Sequence, residues 1–137
     1  MLPMRPLTTL LLLLASLPGA ALAAEIGPEA LAGLYRGEVF NNVDMDAVTT
    51  TFRFEADGRL TGTYEVDEEE GAFKGRISNV HFEGPYTISF EWTDKFGEGF
   101  ATVEFARDFA SFTGEWTDKL GQTGGQPWTG RKQGSVP

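Results

Sequence analysis

The chain has 137 residues, with 20 Asp and Glu against 11 Lys and Arg, one histidine, no cysteine and a formal charge of −9. That length suits one domain, and the acidity excludes the clustered Lys and Arg that phosphate contacts require, so no nucleic-acid partner is expected. The missing cysteine excludes disulfides, thiolate metal sites and a cysteine nucleophile, and the lone His81 excludes a multi-histidine metal site.

Residues 1–23 have the pattern of a secretory signal peptide. Arg5 supplies the positive end, Leu7 to Leu17 the apolar stretch, and Ala21-Leu22-Ala23 the small residues of a cleavage site. The apolar run is short of the roughly 20 residues that a spanning helix needs. The expected product is secreted or periplasmic, with no membrane insertion of the mature chain. Cleavage after Ala23 leaves 114 residues and removes Arg5 but no acid, so the mature charge is −10.

Residues 24–33 form an N-terminal segment. Pro28-Glu29-Ala30-Leu31-Ala32 predicts a short helical turn, with Pro28 at its start and Gly33 just past its end. Period-2 alternation then takes over. Val48, Thr50, Phe52 and Phe54 share one strand face, and Thr49, Thr51, Arg53 and Glu55 the other. Asp57-Gly58 is a favoured hairpin turn. The same alternation recurs through Leu60–Val66, Tyr86–Trp92, Ala101–Phe105 and Phe112–Trp116. Strands are predicted at 34–41, 47–55, 59–66, 72–79, 85–93, 99–106, 111–117 and 126–132. Residues 133–137 are a tail.

Eight short strands joined by short turns make an antiparallel meander. With one apolar face it either closes on itself or folds over as a sandwich. Closure removes exposed edges, and eight strands enclose just enough space for side chains or one small ligand. The expected fold is therefore all-β: an eight-stranded antiparallel up-and-down barrel over residues 34–132. The segment Glu91-Trp92-Thr93-Asp94-Lys95-Phe96-Gly97 also recurs 24 residues later as Glu115-Trp116-Thr117-Asp118-Lys119-Leu120-Gly121. An internal repeat and convergent hairpin chemistry both account for it, and both imply a meander.

The helical turn, the first-strand motif Gly33-Leu34-Tyr35 and the closing Trp128-Thr129-Gly130-Arg131-Lys132 together resemble the calycin superfamily. That resemblance implies a last-strand cation, Arg131 or Lys132, laid across Tyr35 to close one barrel end; Tyr35 stands where the family usually has Trp. Within the superfamily, Phe54 to Leu60 and the strand Leu60-Thr61-Gly62-Thr63-Tyr64-Glu65 are similar to the second hairpin of avidins. The resemblance covers this hairpin closely and the rest by topology, and it carries no implication of biotin binding.

In a meander, alternate turns fall at the same end. The turns after strands 1, 3, 5 and 7 carry Asp44, Asp46, Asp67, Glu68, Glu69, Glu70, Asp94, Glu98 and Asp118 against Lys95 and Lys119. Such an acidic mouth would attract a cationic protein surface or a divalent metal, or it is simply solvated. Asp44 and Asp46 are the metal candidates, although their loop lacks the length and terminal Glu of an EF-hand. The other mouth carries Asp57, His81, Glu83, Arg107 and Asp108 and is nearly balanced.

Phe52, Phe54, Tyr64, Phe73, Phe90, Trp92, Phe105, Phe112, Trp116 and Trp128 are the interior candidates. Tyr64, Phe90, Trp92, Phe112 and Trp116 would wall a pocket for a small apolar or ring-bearing molecule. Alternatively the rings fill the barrel, since each buries roughly 150–250 Å². Gly62, Gly75 and Gly114, facing inward, would leave room. A His81–Glu83 pair is the one acid–base candidate, without a Gly-x-Ser-x-Gly nucleophile motif, and no cofactor motif is present. The reading is a non-enzymatic ligand-binding barrel. The alternative is a protein-interaction or protease-inhibitor-like module with a filled core, the inhibitor form using Ala24 to Pro28.

Overall fold

The computed structural model describes Pro3, residues 26–122 and residues 124–134. The signal peptide expected over 1–23 lies outside the described residues, Pro3 apart. A single 3-10 turn, Pro28–Leu31, comes first, with proline at its start; it ends where Ala32 becomes extended. Eight strands follow: β1 (Gly33–Phe40), β2 (Met45–Phe54), β3 (Leu60–Val66), β4 (Phe73–Phe82), β5 (Thr87–Asp94), β6 (Gly97–Phe105), β7 (Ser111–Asp118) and β8 (Gln126–Gly134). Each pairs antiparallel with its sequence neighbour, and β8 returns to β1 to close the barrel. The fold is the expected meander, closed rather than folded over as a sandwich.

The alternation that marks the strands also decides which face is buried. Val48, Thr50 and Phe52 are buried, while Arg53 between Phe52 and Phe54 is exposed. The one strand that outruns its predicted end by several residues is β4. Asn79 adopts a left-handed φ of 52°, and the β4–β5 register shifts between Ser78 and His81. Such a bulge breaks the side-chain period without ending the strand, so alternation alone stops at Asn79.

The core is an interlocked set of rings. Tyr35 meets Phe52, Phe105 and Phe112 edge-on at centroid distances of 6.0, 5.7 and 5.3 Å. Phe52 links this cluster to Phe90 at 6.1 Å, and Phe90 meets Trp128 at 5.4 Å. Edge-to-face contacts of this kind add to area burial because ring edges are positive and faces negative. Thr50, the buried polar residue among those described, has its hydroxyl 3.0 Å from the Trp128 Nε1–H that donates to it. A polar group so satisfied carries little desolvation cost.

One barrel end is plugged by the 3-10 turn and the β6–β7 turn. Leu31 and Phe109 are buried there. The Tyr35 hydroxyl shares its proton between the carbonyls of Leu31, at 2.7 Å, and Phe109, at 3.0 Å. Of the two cations expected across Tyr35, Lys132 is the one in place. Its Nζ lies 5.8 Å from the ring centroid and donates to the Ala30 carbonyl. Arg131 is exposed and does not serve as the closing cation. The reason is parity: buried Trp128 and Gly130 share the inward phase with Lys132, and Arg131 falls on the outer one.

Candidate functional site

The five interior candidates sit on the barrel's inner side but line no common pocket: Tyr64 borders a cleft of about 660 Å³ and Trp92 a separate one of about 140 Å³. Phe90, Phe112, Tyr64 and Trp116 are buried, and Trp92 is half-buried. Their polar atoms are spent on the protein itself. The Tyr64 hydroxyl donates to Asp94 Oδ2 at 2.6 Å. Trp116 Nε1 donates to the Phe40 carbonyl at 3.0 Å, and Trp92 Nε1 to the Thr117 carbonyl at 3.1 Å. The two indoles meet edge-on at 5.4 Å and close the acidic end of the barrel.

The inward glycines do not leave the room expected of them. A Cβ on Gly75 would sit 2.0 Å from Tyr64 Cζ, one on Gly114 2.4 Å from both the Thr102 carbonyl oxygen and Val103 Cγ1, and one on Gly62 2.7 Å from the Thr51 carbonyl oxygen and 3.2 Å from Ile77 Cδ1. Tyr64 crosses Gly75, and neighbouring backbone and side chains stand close over Gly62 and Gly114, so the space is already taken. Two clefts open outward. One of about 140 Å³ lies beside Trp92 and Lys119. The other, of about 660 Å³, follows the outer sheet face past Thr51, Thr63, Arg76 and Thr93.

Burial raises the pKa of both Tyr35 and Tyr64, and for Tyr64 the hydrogen bond to Asp94 and the charge of that carboxylate add to the shift. The unfolded chain therefore loses these protons first, near pH 10. Stability from the two phenols is fully present below that pH and falls as pH rises through the range where only the unfolded state ionises. Each contributes a slope of up to about 1.4 kcal/mol per pH unit. Lys132, whose pKa burial lowers, acts in the opposite sense but is only partly buried. Urea unfolding from pH 9 to 12 should show a net alkaline loss, with a shallower slope in Tyr35→Phe. An equal slope in that variant would remove Tyr35 as the source.

The closed meander brings the turns after β1, β3, β5 and β7 to one end, with their nine carboxylates and two lysines. Lys119 Nζ pairs with Glu98 Oε1 at 3.1 Å. Lys95 Nζ sits 4.8 Å over the Phe96 ring and 5.5 Å over Phe73. Side-chain caps hold these turns. Asn41 Oδ1 accepts from the amides of Val43 and Asp44, Asp94 Oδ1 from Phe96, and Asp118 Oδ1 from Gln122.

The metal candidates Asp44 and Asp46 are not joined by further ligands. Asn41 Nδ2 donates to Asp46 Oδ2, and among the described residues no group of three or more His, Asp or Glu could hold a metal ion. The acid–base candidates also have other partners. His81 Nε2 lies 3.2 Å from Asn79 Oδ1, while Glu83 Oε1 accepts from Ser89 Oγ at 2.6 Å.

Sequence reasoning missed Phe109, which is buried although it lies in the β6–β7 turn. Its φ of 57° is a left-handed conformation rare for a bulky side chain. The available signal was a large apolar residue right after Asp108 in a short turn. The chain matches no family model, no curated protein and no solved structure. Its closed eight-stranded antiparallel meander is compatible with a calycin-like fold.

Proposed function

We propose that this chain is a non-enzymatic protein-interaction module, acting in the periplasm or outside the cell, in which a solid barrel serves as a rigid scaffold for its turns. The location rests on the leader-like pattern of residues 1–23. The observation that favours a scaffold over a small-molecule carrier is the interior, where rings 5.1–6.1 Å apart interlock and the inward glycines are covered by neighbouring backbone and side chains. A carrier of a ring-bearing molecule needs a largely apolar pocket of at least about 300 Å³ that buries most of its ligand, whereas the cleft of about 660 Å³ lies open and is lined mainly by Thr and charged side chains. The kinship to avidins rests on the Asp57-Gly58 hairpin, and biotin binding forms no part of the proposal.

Two measurements test this reading. Titration of the mature chain with anilinonaphthalene sulfonate should produce no saturable quenching of tryptophan emission, because Trp116 and Trp128 are buried against Trp92, Tyr64 and Phe90 and Trp92 borders only a small open cleft. Saturable one-to-one binding with quenching of that emission would restore the small-molecule carrier. Immobilised mature chain should in turn retain a defined protein from the extracytoplasmic fraction of its source, at constant stoichiometry. Retention of none would defeat the interaction module.

A further inference from the structure

The acidic end of the barrel carries apolar side chains that stay largely exposed. Leu120 is 79% exposed, Val43 77%, Phe96 67% and Met45 43%. None belongs to the hydrophobic core. Val43, Phe96 and Leu120 stand on the turns after β1, β5 and β7, and Met45 opens β2. These three turns follow one another around the rim, because β8 pairs with β1 and β6 with β7. The remaining rim turn carries the acidic run Asp67-Glu68-Glu69-Glu70.

The turns themselves do not require these residues. Their geometry comes from Asn41, Asp94 and Asp118, whose side chains accept the local amides. Turn tips are ordinarily polar, and large apolar groups presented at three neighbouring tips mark a contact surface. Phe96 is also held upright, edge-on against Phe73 at 5.0 Å.

Charge decides the occupant. The rim has seven more carboxylates than lysines. One of its two lysines is already neutralised by Glu98. The rim of a second copy and an anionic lipid surface would both be repelled. A small cation would gain nothing from the apolar tips. We infer that this rim docks a basic amphipathic segment of a partner protein, whose apolar side chains rest on Val43, Phe96 and Leu120 while its Lys and Arg face the surrounding carboxylates. The inference rests on the interaction-module reading and names the surface and the chemistry of the partner.

The test uses the mature chain and three labelled synthetic peptides of equal length: one alternating Lys and Leu along a helical face, one replacing Leu by Ser, and one replacing Lys by Glu. Fluorescence anisotropy should show that the Lys/Leu peptide binds at least about tenfold more tightly than either control. Its affinity should fall several-fold as salt rises from about 50 to about 500 mM. The triple variant Val43→Ser, Phe96→Ser, Leu120→Ser should weaken it about tenfold or more. The triple variant Glu68→Gln, Glu69→Gln, Glu70→Gln should weaken it and flatten its salt dependence. Phe82→Ser, at an exposed position near the opposite end, should change nothing. All the substituted side chains are outside the buried core, and unchanged thermal midpoints would confirm intact folding.

Equal affinity of the mature chain and the apolar triple variant for the Lys/Leu peptide overturns the inference. Equal affinity for the Glu/Leu peptide does so as well. If a protein is still retained from the extracytoplasmic fraction while the peptide series fails, the rim alone is wrong. If no protein is retained, the broader reading fails with it.

Discussion

Replacing Tyr35 by alanine should lower stability by about 3–5 kcal/mol, the usual range for deleting a buried ring. Against a total of roughly 5–15 kcal/mol for a domain, that is about a fifth or more. Three rings lie within 6.0 Å of its centroid and would face the void. Tyr35→Phe separates the ring from its hydroxyl. It fills the space but leaves the Leu31 and Phe109 carbonyls without their shared donor, at a cost of about 1–3 kcal/mol. The hydroxyl joins the 3-10 turn to the β6–β7 turn, whose Phe109 lies 74 residues beyond Tyr35. Its loss should therefore also speed proteolysis near Pro28. Urea midpoints of the two variants check the ordering; a neutral Tyr35→Phe would mean that the plug holds without this bond.

The second large effect belongs to the seam. A Cβ on Gly37 would lie 2.0 Å from the Thr129 carbonyl oxygen, 2.5 Å from its carbon and 2.8 Å from the Gly130 Cα. All three are backbone atoms, so no side chain can turn aside. Gly37→Val must part β1 from β8 and should lose about 3 kcal/mol or more. Hydrogen exchange should show the amides of β1 and β8 opening well before those of β4 and β5. Gly84→Ala, with nothing within 4 Å of the added carbon, should match the parent. Uniform exchange across all strands in Gly37→Val would show that the barrel has no weak seam.

The strands were legible because one face of each is buried and the turns between them are short. Val48, Thr50 and Phe52 against Thr49, Thr51 and Arg53 fix both the element and its inner side. The Asp57-Gly58 turn likewise announces itself, with Gly58 at a φ of 86°. What escaped depends on contacts between distant residues. Nothing beside Gly75 in β4 says that Tyr64 from the preceding strand will lie across it. An inward glycine reads as space until the ring that covers it is known. Phe109 escaped because a turn residue is normally solvated, and only the 3-10 plug opposite gives it a place to go. The choice of Lys132 over Arg131 was within reach, since counting by twos from Trp128 arrives at Lys132. The acidic rim followed from topology alone. Its apolar tips were in plain view in Val43, Phe96 and Leu120, but exposure is a property of the folded chain.

The seam between the first and last strands has a practical corollary. Leu34 and Gly134 are register partners across β1 and β8, and both lie at the end of the barrel opposite the acidic turns. Anything attached beside either position, whether an affinity handle, a surface tether or a fused domain, would leave the acidic rim pointing away and unobstructed. For the same reason a linker from Gly134 to Gly27, which keeps the 3-10 plug, with new ends opened between Asp57 and Gly58, would give a circularly permuted chain that retains all eight strand pairings.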